Sequence, residues 1–187
     1  MKEVIDEAVR VLKEGGVILY PTDTVWGLGC DATNEEAVHK VFAIKRRSEA
    51  KSLVLLAADL DMVARYIRQI PSIAIDLVEV NDAPMTIVYP GAQGLAPSVV
   101  ADDGSVGIRI PMSDFCRELA RRFRRPLVST SANISGGQTP SCFAEIDPAI
   151  VSAADWCAPR RLEAGATGRA SQIIKLGLKG EVEIIRA

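Results

Sequence analysis

Alternation between extended and helical apolar patterns is the feature that most constrains the fold of this chain. The first helical pattern places Val4, Ala8 and Leu12 on one face and ends at Gly15-Gly16, and an apolar strand follows over 17–20. Alternation of this kind is typical of α/β domains, and 187 residues without a linker favour one domain over 1–187. The patterns predict further strands over 53–57, 85–89, 105–110, 127–129, 172–176 and 182–185, and helices over about 59–67, 73–80 and 114–123.

Composition and charge exclude several classes of protein. Hydrophobic residues make up 48% and charged residues 25% of the chain, as in ordinary globular domains. With a net charge of −2, the protein has no overall positive potential that would attract nucleic acid,. The four cysteines form no CxxC pair, which argues against a zinc site and favours reduced cytoplasmic thiols. No apolar run approaches the ~20 residues of a membrane span, and Met1 leads into an amphipathic helix rather than a signal peptide. We therefore expect a cytoplasmic protein without membrane association.

A cationic segment follows the second predicted helix. Thr33 and Glu36 have the spacing of a capping box that would begin this helix,. Its end delivers Lys45 and Arg47, and Lys51 follows before the next strand. Two interpretations are open. In the first, the cations serve only to stabilise the helix C-terminus and to solvate the turn that follows it. Alternatively, they bind a triphosphate, with Arg donating to two phosphate oxygens at once and Lys acting as a point charge.

A dense polar segment lies over 129–136, with the sequence Ser-Thr-Ser-Ala-Asn-Ile-Ser-Gly. Buried hydroxyls and carboxamides each need a partner, so we interpret the segment as a ligand-binding loop rather than a strand interior. A simple polar turn is the alternative. Ser131 and Asn133, two residues apart, would point to the same side of an extended chain.

Two further polar groups stand at predicted strand ends. Thr22, Asp23 and Thr24 follow the first strand, where α/β sheets often face ligands, although a Ser/Thr or Asx turn after proline is equally compatible. Arg109 lies at the end of another predicted strand. It either forms an ion pair on the surface or binds a ligand carboxylate through two parallel hydrogen bonds. A long loop is predicted over 90–104, and its Asp102-Asp103-Gly104 favours a turn over a cation site.

Several chemistries are excluded by missing motifs. The chain has neither a GxSxG elbow nor a Walker A loop. Gly27-x-Gly29 followed by Ala32 matches GxGxxA formally, but it lies too far from a strand and from the next helix to bind a dinucleotide. His39 is the only histidine, which excludes a histidine triad and a multi-histidine metal site, and we predict a packed or solvated helix position for it.

Taken in order, four blocks resemble the YrdC/Sua5 family. They are Pro21-Thr22-Asp23-Thr24-Val25-Trp26-Gly27-Leu28-Gly29, Lys45-x-Arg47 with Lys51-Ser52-Leu53, Arg109-Ile110-Pro111, and Ser131-Ala132-Asn133-x-Ser135-Gly136. The resemblance implies a YrdC-like α/β fold: a twisted, open, mixed sheet with flanking helices and a large concave cavity. It also implies threonylcarbamoyl-AMP synthase activity, in which L-threonine, bicarbonate and ATP give threonylcarbamoyl-adenylate and pyrophosphate, the first step of the t6A modification of tRNA.

The resemblance also implies roles for individual residues. The threonine-side contacts would be Thr24, Arg109, Ser131 and Ser171. The nucleotide-side contacts would be Arg47, Lys51, Ser105, Asn133, Ser141 and Arg186. Lys45 and Arg47 would be the catalytic cations, with Lys45 supporting the phosphates, and Mg²⁺ would accompany ATP without a dedicated protein site.

This sequence departs from the family pattern at two positions. Leu56 stands where longer members carry a histidine, and Ser52 replaces the usual proline or glycine. Because the chain ends at Ala187, it resembles the short, stand-alone form, whose product would pass to downstream t6A transferase proteins.

A second hypothesis is a non-catalytic module that binds double-stranded RNA or tRNA by shape and phosphates. It rests on five arginines crowded between positions 117 and 125, which fall on more than one helix face. The arginine cluster consists of Arg117, Arg121, Arg122, Arg124 and Arg125.

Overall fold

Nine strands form one open, mixed sheet in a computed structural model that describes residues 1–47 and 53–187. The predictions for Lys51 and Ser52 lie outside the described residues. The strands are β1 (Ile18–Pro21), β2 (Trp26–Gly29), β3 (Val54–Leu56), β4 (Met85–Tyr89), β5 (Val106–Arg109), β6 (Leu127–Ser131), β7 (Trp156–Cys157), β8 (Gln172–Leu176) and β9 (Val182–Arg186). They stand in the order β7-β1-β2-β6-β3-β5-β4-β8-β9, with parallel pairs β1–β7, β3–β5 and β4–β8 and antiparallel pairs elsewhere. The predicted open mixed α/β sheet is confirmed.

Six helices flank the described strands. Among the described residues, every helix is too short or too polar to traverse a lipid bilayer. Short 3₁₀ turns lie at Pro97–Val99, Phe143–Glu145 and Arg160–Glu163, the first of them inside the predicted long loop. The helices are α1 (Lys2–Lys13), α2 (Glu35–Lys45), α3 (Leu60–Tyr66), α4 (Ser72–Val80), α5 (Asp114–Phe123) and α6 (Pro148–Ala153).

The start of α2 differs from the prediction. Its N-cap is Asn34, whose Oδ1 accepts a hydrogen bond from the Ala37 N–H at 3.1 Å. Thr33 instead donates from its backbone N–H and hydroxyl to Asp31 at 2.8 and 2.7 Å. The predicted capping box between Thr33 and Glu36 is therefore wrong, because a carboxylate two residues earlier already holds the threonine hydroxyl.

The polar segment is part strand and part turn. β6 continues through Ser131, so the three hydroxyl residues Ser129, Thr130 and Ser131 all lie on the strand. The strand predicted over 127–129 is confirmed, and the loop interpretation is wrong for the other two of these residues. The backbone groups of all three pair with β2 and β3, and this pairing lets hydroxyl side chains stand on a strand. The chain turns after Ser131, where the Asn133 N–H donates to the Ser131 carbonyl at 2.9 Å. The same-side relation expected for Ser131 and Asn133 therefore does not arise from a continuous strand.

Strand β2 was not predicted, and Gly29 explains its close packing. A Cβ atom at Gly29 would lie 2.4 Å from the Val128 carbonyl oxygen and 2.6 Å from the Tyr20 ring. Only glycine allows the neighbouring strands to approach this closely. The two glycines of the GxGxxA match thus serve a strand and not a phosphate-binding turn, in agreement with the sequence argument against a dinucleotide site.

The two faces of the sheet carry different side chains. Ile87 and Ile108 lie on one face, where they line a cavity together with Val78 of α4 and Arg117 of α5. Leu56, at the position where longer relatives were expected to carry histidine, is fully buried in β3. The opposite face carries the hydroxyls, Arg109 and glycines that line the candidate site.

Candidate functional site

A polar cavity of about 200 Å³ opens on the sheet face opposite α4 and α5. We call it the polar cavity. All four residues that the family resemblance assigned to threonine line it, together with Arg186. They come from the turn after β1, the end of β5, the end of β6 and the segment before β8. These positions are distant in sequence, and the sheet order β2-β6-β3-β5-β4-β8-β9 brings them together.

The turn after β1 supplies Thr24. The Thr22 hydroxyl donates to the Val25 carbonyl at 2.8 Å and accepts from the Thr24 N–H at 3.1 Å, so the turn is a Ser/Thr turn,. The two threonine hydroxyls lie 2.8 Å apart. This geometry confirms the turn interpretation of the segment and also places Thr24 in the wall of the polar cavity.

Arg109 lies in the same wall and is not a surface residue. Its side chain is 4% exposed and forms an ion pair with Asp23 at 2.5 Å, while Nη2 donates to the Thr24 hydroxyl at 3.3 Å. A guanidinium has five N–H donors in a fixed fork, so donors remain on Arg109 beyond these two contacts. The group is therefore suited to bind a small carboxylate in the cavity.

On the opposite side, the cavity is bounded by Ser171 and Arg186. Arg186 donates from Nε to the Ser171 carbonyl at 2.8 Å, and the Ser171 hydroxyl lies 2.8 Å from the Thr86 hydroxyl. Sequence reasoning missed Thr86, which is fully buried in β4. Its only signal was a polar residue between Met85 and Ile87 in an otherwise apolar strand.

A second, mainly apolar cavity of about 210 Å³ adjoins the first, and Val54 lines both. Ser105 lies in this neighbouring cavity. Its hydroxyl donates to Asp103 Oδ1 at 2.5 Å, and Lys175 pairs with the other carboxylate oxygen at 2.7 Å. The hydrogen bonds from Lys175 and Ser105 hold the pKa of Asp103 below its ordinary range. Asp103 therefore forms a turn with an ion pair, as the sequence favoured.

Lys45 lies beneath the turn that follows β6. Its ammonium donates to the Ser131 and Asn133 carbonyls at 2.5 and 2.8 Å, and its own carbonyl accepts from the Ser135 N–H. Burial, together with the nearby Arg47 charge, lowers the pKa of Lys45 to about 8. In this arrangement Lys45 fixes the backbone of the polar segment, and its predicted phosphate contact stays a prediction.

The other predicted nucleotide contacts among the described residues are Arg47, Asn133 and Ser141, and they line neither of the two cavities. Arg47 follows α2 and is half-buried. Asn133 donates from its amide to the Ile134 and Gly137 carbonyls, while its Oδ1 is buried without a hydrogen-bond partner among the described residues. Ser141 is exposed, and its hydroxyl donates to Glu145 at 2.8 Å. Neither Asn133 nor Ser141 lines the polar cavity, and their roles stay predictions.

Two groups from the sequence analysis lie apart from the polar cavity. His39 is a solvated helix residue, as predicted, 3.1 Å from Glu35. In the arginine cluster, four members face carboxylates: Arg117 pairs with Asp114, Arg121 with Glu118, Arg122 with Asp6, and Arg125 with Asp31. Over residues 1–47 and 53–187, no three His, Cys, Asp or Glu side chains are grouped to hold a metal ion.

Comparison with known proteins finds relatives that share one name. Threonylcarbamoyl-AMP synthase of Stenotrophomonas maltophilia (strain K279a) is 37% identical over 159 residues, 83% of this chain and 86% of that protein. Threonylcarbamoyl-AMP synthase of Halorhodospira halophila (strain DSM 244 / SL1) is 33% identical over 159 residues, 84% of this chain and 83% of that protein.

Solved structures share the fold. P. abyssi Sua5 complexed with L-threonine superposes with a TM-score of 0.82 at 26% identity, over 92% of this chain and 50% of that one. This chain therefore spans about half the length of that Sua5. YciO of E. coli has a TM-score of 0.80 at 22% identity, over 100% of this chain and 89% of that one, and shows the fold alone.

A family model covering Sua5, YciO and YrdC, described as "Telomere recombination", matches residues 10–187. Since this match takes in nearly the whole chain and every element of the polar cavity, the chain belongs to the Sua5/YciO/YrdC family.

Proposed function

We propose that this protein is an L-threonylcarbamoyladenylate synthase, a nucleotidyltransferase. It would convert L-threonine, bicarbonate and ATP into threonylcarbamoyl-AMP, pyrophosphate and water, the first step of t6A formation in tRNA. The observation that carries the proposal is the convergence of Thr24, Arg109, Ser131 and Ser171 on one polar cavity. Relatives with threonylcarbamoyl-AMP synthase names, 33–37% identical, and a Sua5 that binds L-threonine support it.

The polar cavity suits an amino acid. Its volume of about 200 Å³ is below the roughly 300–1,000 Å³ typical of pockets for drug-sized ligands, so it holds a small zwitterion and not a whole nucleotide. Arg109 would bind the threonine carboxylate through its remaining donors. The hydroxyls of Thr24, Ser131 and Ser171 would contact the amine and hydroxyl of the ligand.

ATP would extend beyond this cavity. Arg47, Lys51 and Arg186 would bind its phosphates by charge-assisted hydrogen bonds, and Ser105 would contact the nucleoside from the neighbouring cavity. Asn133 and Ser141 would complete the nucleotide side. Mg²⁺ would arrive bound to the ATP phosphates and offset their charge.

The chemistry requires positioning more than an activated nucleophile. The neutral threonine amine adds to carbon dioxide with loss of a proton, or to bicarbonate with loss of water, and so forms a carbamate. A carbamate oxygen then attacks the α-phosphorus, and the bond from that phosphorus to pyrophosphate breaks as pyrophosphate leaves. Aligning three small reactants supplies on the order of 7–11 kcal/mol of such a barrier. The cations stabilise the charge that develops on pyrophosphate, while Lys45 keeps Ser131 and Asn133 in place.

RNA binding without catalysis is the weaker alternative. The carboxylate partners of Arg117, Arg121, Arg122 and Arg125 reduce the positive potential that phosphate binding needs. We propose that the downstream t6A transferase proteins take up the product and transfer it to tRNA. Neither partner would bind the arginine cluster. The four free cysteines support a reducing, cytoplasmic setting.

The deciding experiment incubates the pure protein with ATP, bicarbonate and single amino acids and measures pyrophosphate release. Release that requires both threonine and bicarbonate supports the synthase. Release without threonine, or none with all three substrates, would overturn it.

A further inference from the structure

We infer that Asp23 is a positioning residue, which orients the Arg109 guanidinium so that its remaining donors face the threonine carboxylate. This inference rests on the proposed function, because it names what holds the carboxylate-binding group in place. Asp23 is not among the residues that the family resemblance assigns to threonine or to the nucleotide, and it does not itself line the polar cavity.

Both oxygens of the Asp23 carboxylate are occupied. Oδ1 accepts from Arg109 Nη1 at 2.5 Å, and Oδ2 accepts from the Met112 backbone N–H at 3.0 Å. The Asp23 side chain is 9% exposed. The carboxylate therefore has one orientation, fixed by a backbone donor just beyond β5.

Arg109 is held on a second side by the turn after β1. Its Nη2 donates to the Thr24 hydroxyl, which lies next to the Thr22 hydroxyl. Contacts to Asp23 and Thr24 use one hydrogen on each terminal nitrogen, and the planar fork cannot rotate without breaking both. The donors left over therefore point in a fixed direction, as bidentate carboxylate binding requires.

Charge balance explains why the orienting residue is an aspartate. A guanidinium that is 4% exposed would be costly to bury unpaired. An asparagine would keep the shape but carry one oxygen and one NH₂ group. Its NH₂ would face either the Arg109 donor or the Met112 N–H, so one of the two contacts must be lost.

Asp31 provides a matched control. Its side chain is 4% exposed, it pairs with Arg125 at 2.8 Å, and it accepts a backbone N–H from Thr33 at 2.8 Å. Asp31 thus has the same kinds of partner as Asp23 but lies before α2 and does not line the polar cavity.

The test measures binding of L-threonine and of L-threonine amide, which lacks the carboxylate, by calorimetry without ATP. In the wild-type protein we expect threonine to bind more tightly than the amide. In Asp23→Asn this preference should fall by roughly tenfold or more, the value of a charge-assisted contact. Asp31→Asn should keep the wild-type preference, whereas a merely structural defect would weaken both ligands equally.

A second variant guards against misfolding of Asp23→Asn. Asp23→Glu keeps the charge but displaces the carboxylate by one methylene, and it should lose part of the preference. An unchanged preference in the Asp23 variants, or an equal loss in Asp31→Asn, would overturn the assignment of Asp23 alone. Failure of the wild-type protein to bind threonine would overturn the proposed function and this inference with it.

Discussion

The hydroxyl oxygens of Thr86 and Ser171 lie 2.8 Å apart, at the boundary between the polar cavity and the neighbouring cavity. Thr86 is fully buried in β4, and Ser171 stands just before β8, which pairs with β4. The Ser171 carbonyl accepts from Arg186. Thr86 therefore supports a serine that lines the polar cavity and, through it, the strand that carries Arg186.

We expect Thr86→Val to weaken threonine binding by about two- to tenfold, because the near-isosteric change leaves the Ser171 hydroxyl without its partner, a loss of about 0.5–1.5 kcal/mol. Calorimetric titration with L-threonine measures the effect. Thr86→Ser keeps a hydroxyl and is the control. Wild-type affinity in Thr86→Val would show that Ser171 needs no support from β4.

Arg47→Ala should cripple ATP binding and turnover while the fold survives, since one charge-assisted phosphate contact is worth about 1.5–3 kcal/mol. Arg46, the exposed C-cap residue of α2, gives the matched control Arg46→Ala. Nucleotide titration of both variants decides the matter. An ATP affinity in Arg47→Ala equal to that of the control would remove Arg47 from the phosphate site.

Threonine should outperform valine and 2-aminobutyrate as a substrate, because a site built for a hydroxyl leaves buried polar groups unpaired when the ligand lacks one. Serine keeps the hydroxyl and loses a methyl group, a difference of roughly 1–3 kcal/mol. Rates of pyrophosphate release with each amino acid measure the selection. Equal turnover of valine and threonine would contradict the hydroxyl contacts of Thr24 and Ser131.

The lowered pKa of Lys45 predicts a pH dependence of stability. Between about 8 and its ordinary value of 10.5, the unfolded chain still holds the proton that the folded protein has released. The unfolded state then binds more protons, so the contribution of Lys45 to stability rises with pH in this window, by at most about 1.4 kcal/mol per pH unit. Below it, both states are protonated and the contribution is constant.

Urea unfolding of the wild-type protein and of Lys45→Met at about pH 7.5 and about pH 9.5 tests this sign. The free energy of unfolding of the wild type, relative to the variant, should be higher at the alkaline pH. A difference that stays constant between these two pH values would mean that the two carbonyls keep Lys45 charged and its pKa at or above the ordinary value.

Removal of residues 181–187 should abolish ATP-dependent chemistry, because Arg186 lines the polar cavity from β9. Arg186→Gln separates the loss of the charge from the loss of the strand, since it leaves β9 intact. The threonine-dependent pyrophosphate assay measures both. Full activity in the shortened protein would show that Arg186 makes no ligand contact.

Sequence patterns predicted the regular elements of this fold well where periodicity was strong. The bounds of β4, α5 and β8 agree with the predictions, since each is a clear apolar run or a strongly amphipathic helix between turn residues. β7 was missed because two residues carry no periodic signal. β2 was missed because its two glycines suggest a turn, whereas the tight packing of Gly29 against Tyr20 and Val128 requires a glycine within the strand.

The candidate site was predictable only in part. Family motifs identified Thr24, Arg109 and Ser131, and the structure brings them together. They could not reveal that Asp23 accepts a hydrogen bond from Arg109, because a sequence motif does not specify which acceptor pairs with which donor in the folded protein. The role of Thr86 depends on pairing between β4 and β8, whose partners are 87 positions apart, as in Met85 and Gln172,.

β9 forms one edge of the described sheet, and all five of its residues are exposed, including Ile184 at 70%. A strand that buries so little detaches locally at a much lower free-energy cost than the core elements. Arg186 belongs to β9 and would leave the cavity wall when the strand detaches. The complete cavity therefore exists only in the fraction of molecules in which β9 is paired with β8. Ligand affinity is then the intrinsic affinity multiplied by that fraction, and a bound ligand would in turn protect the strand from opening.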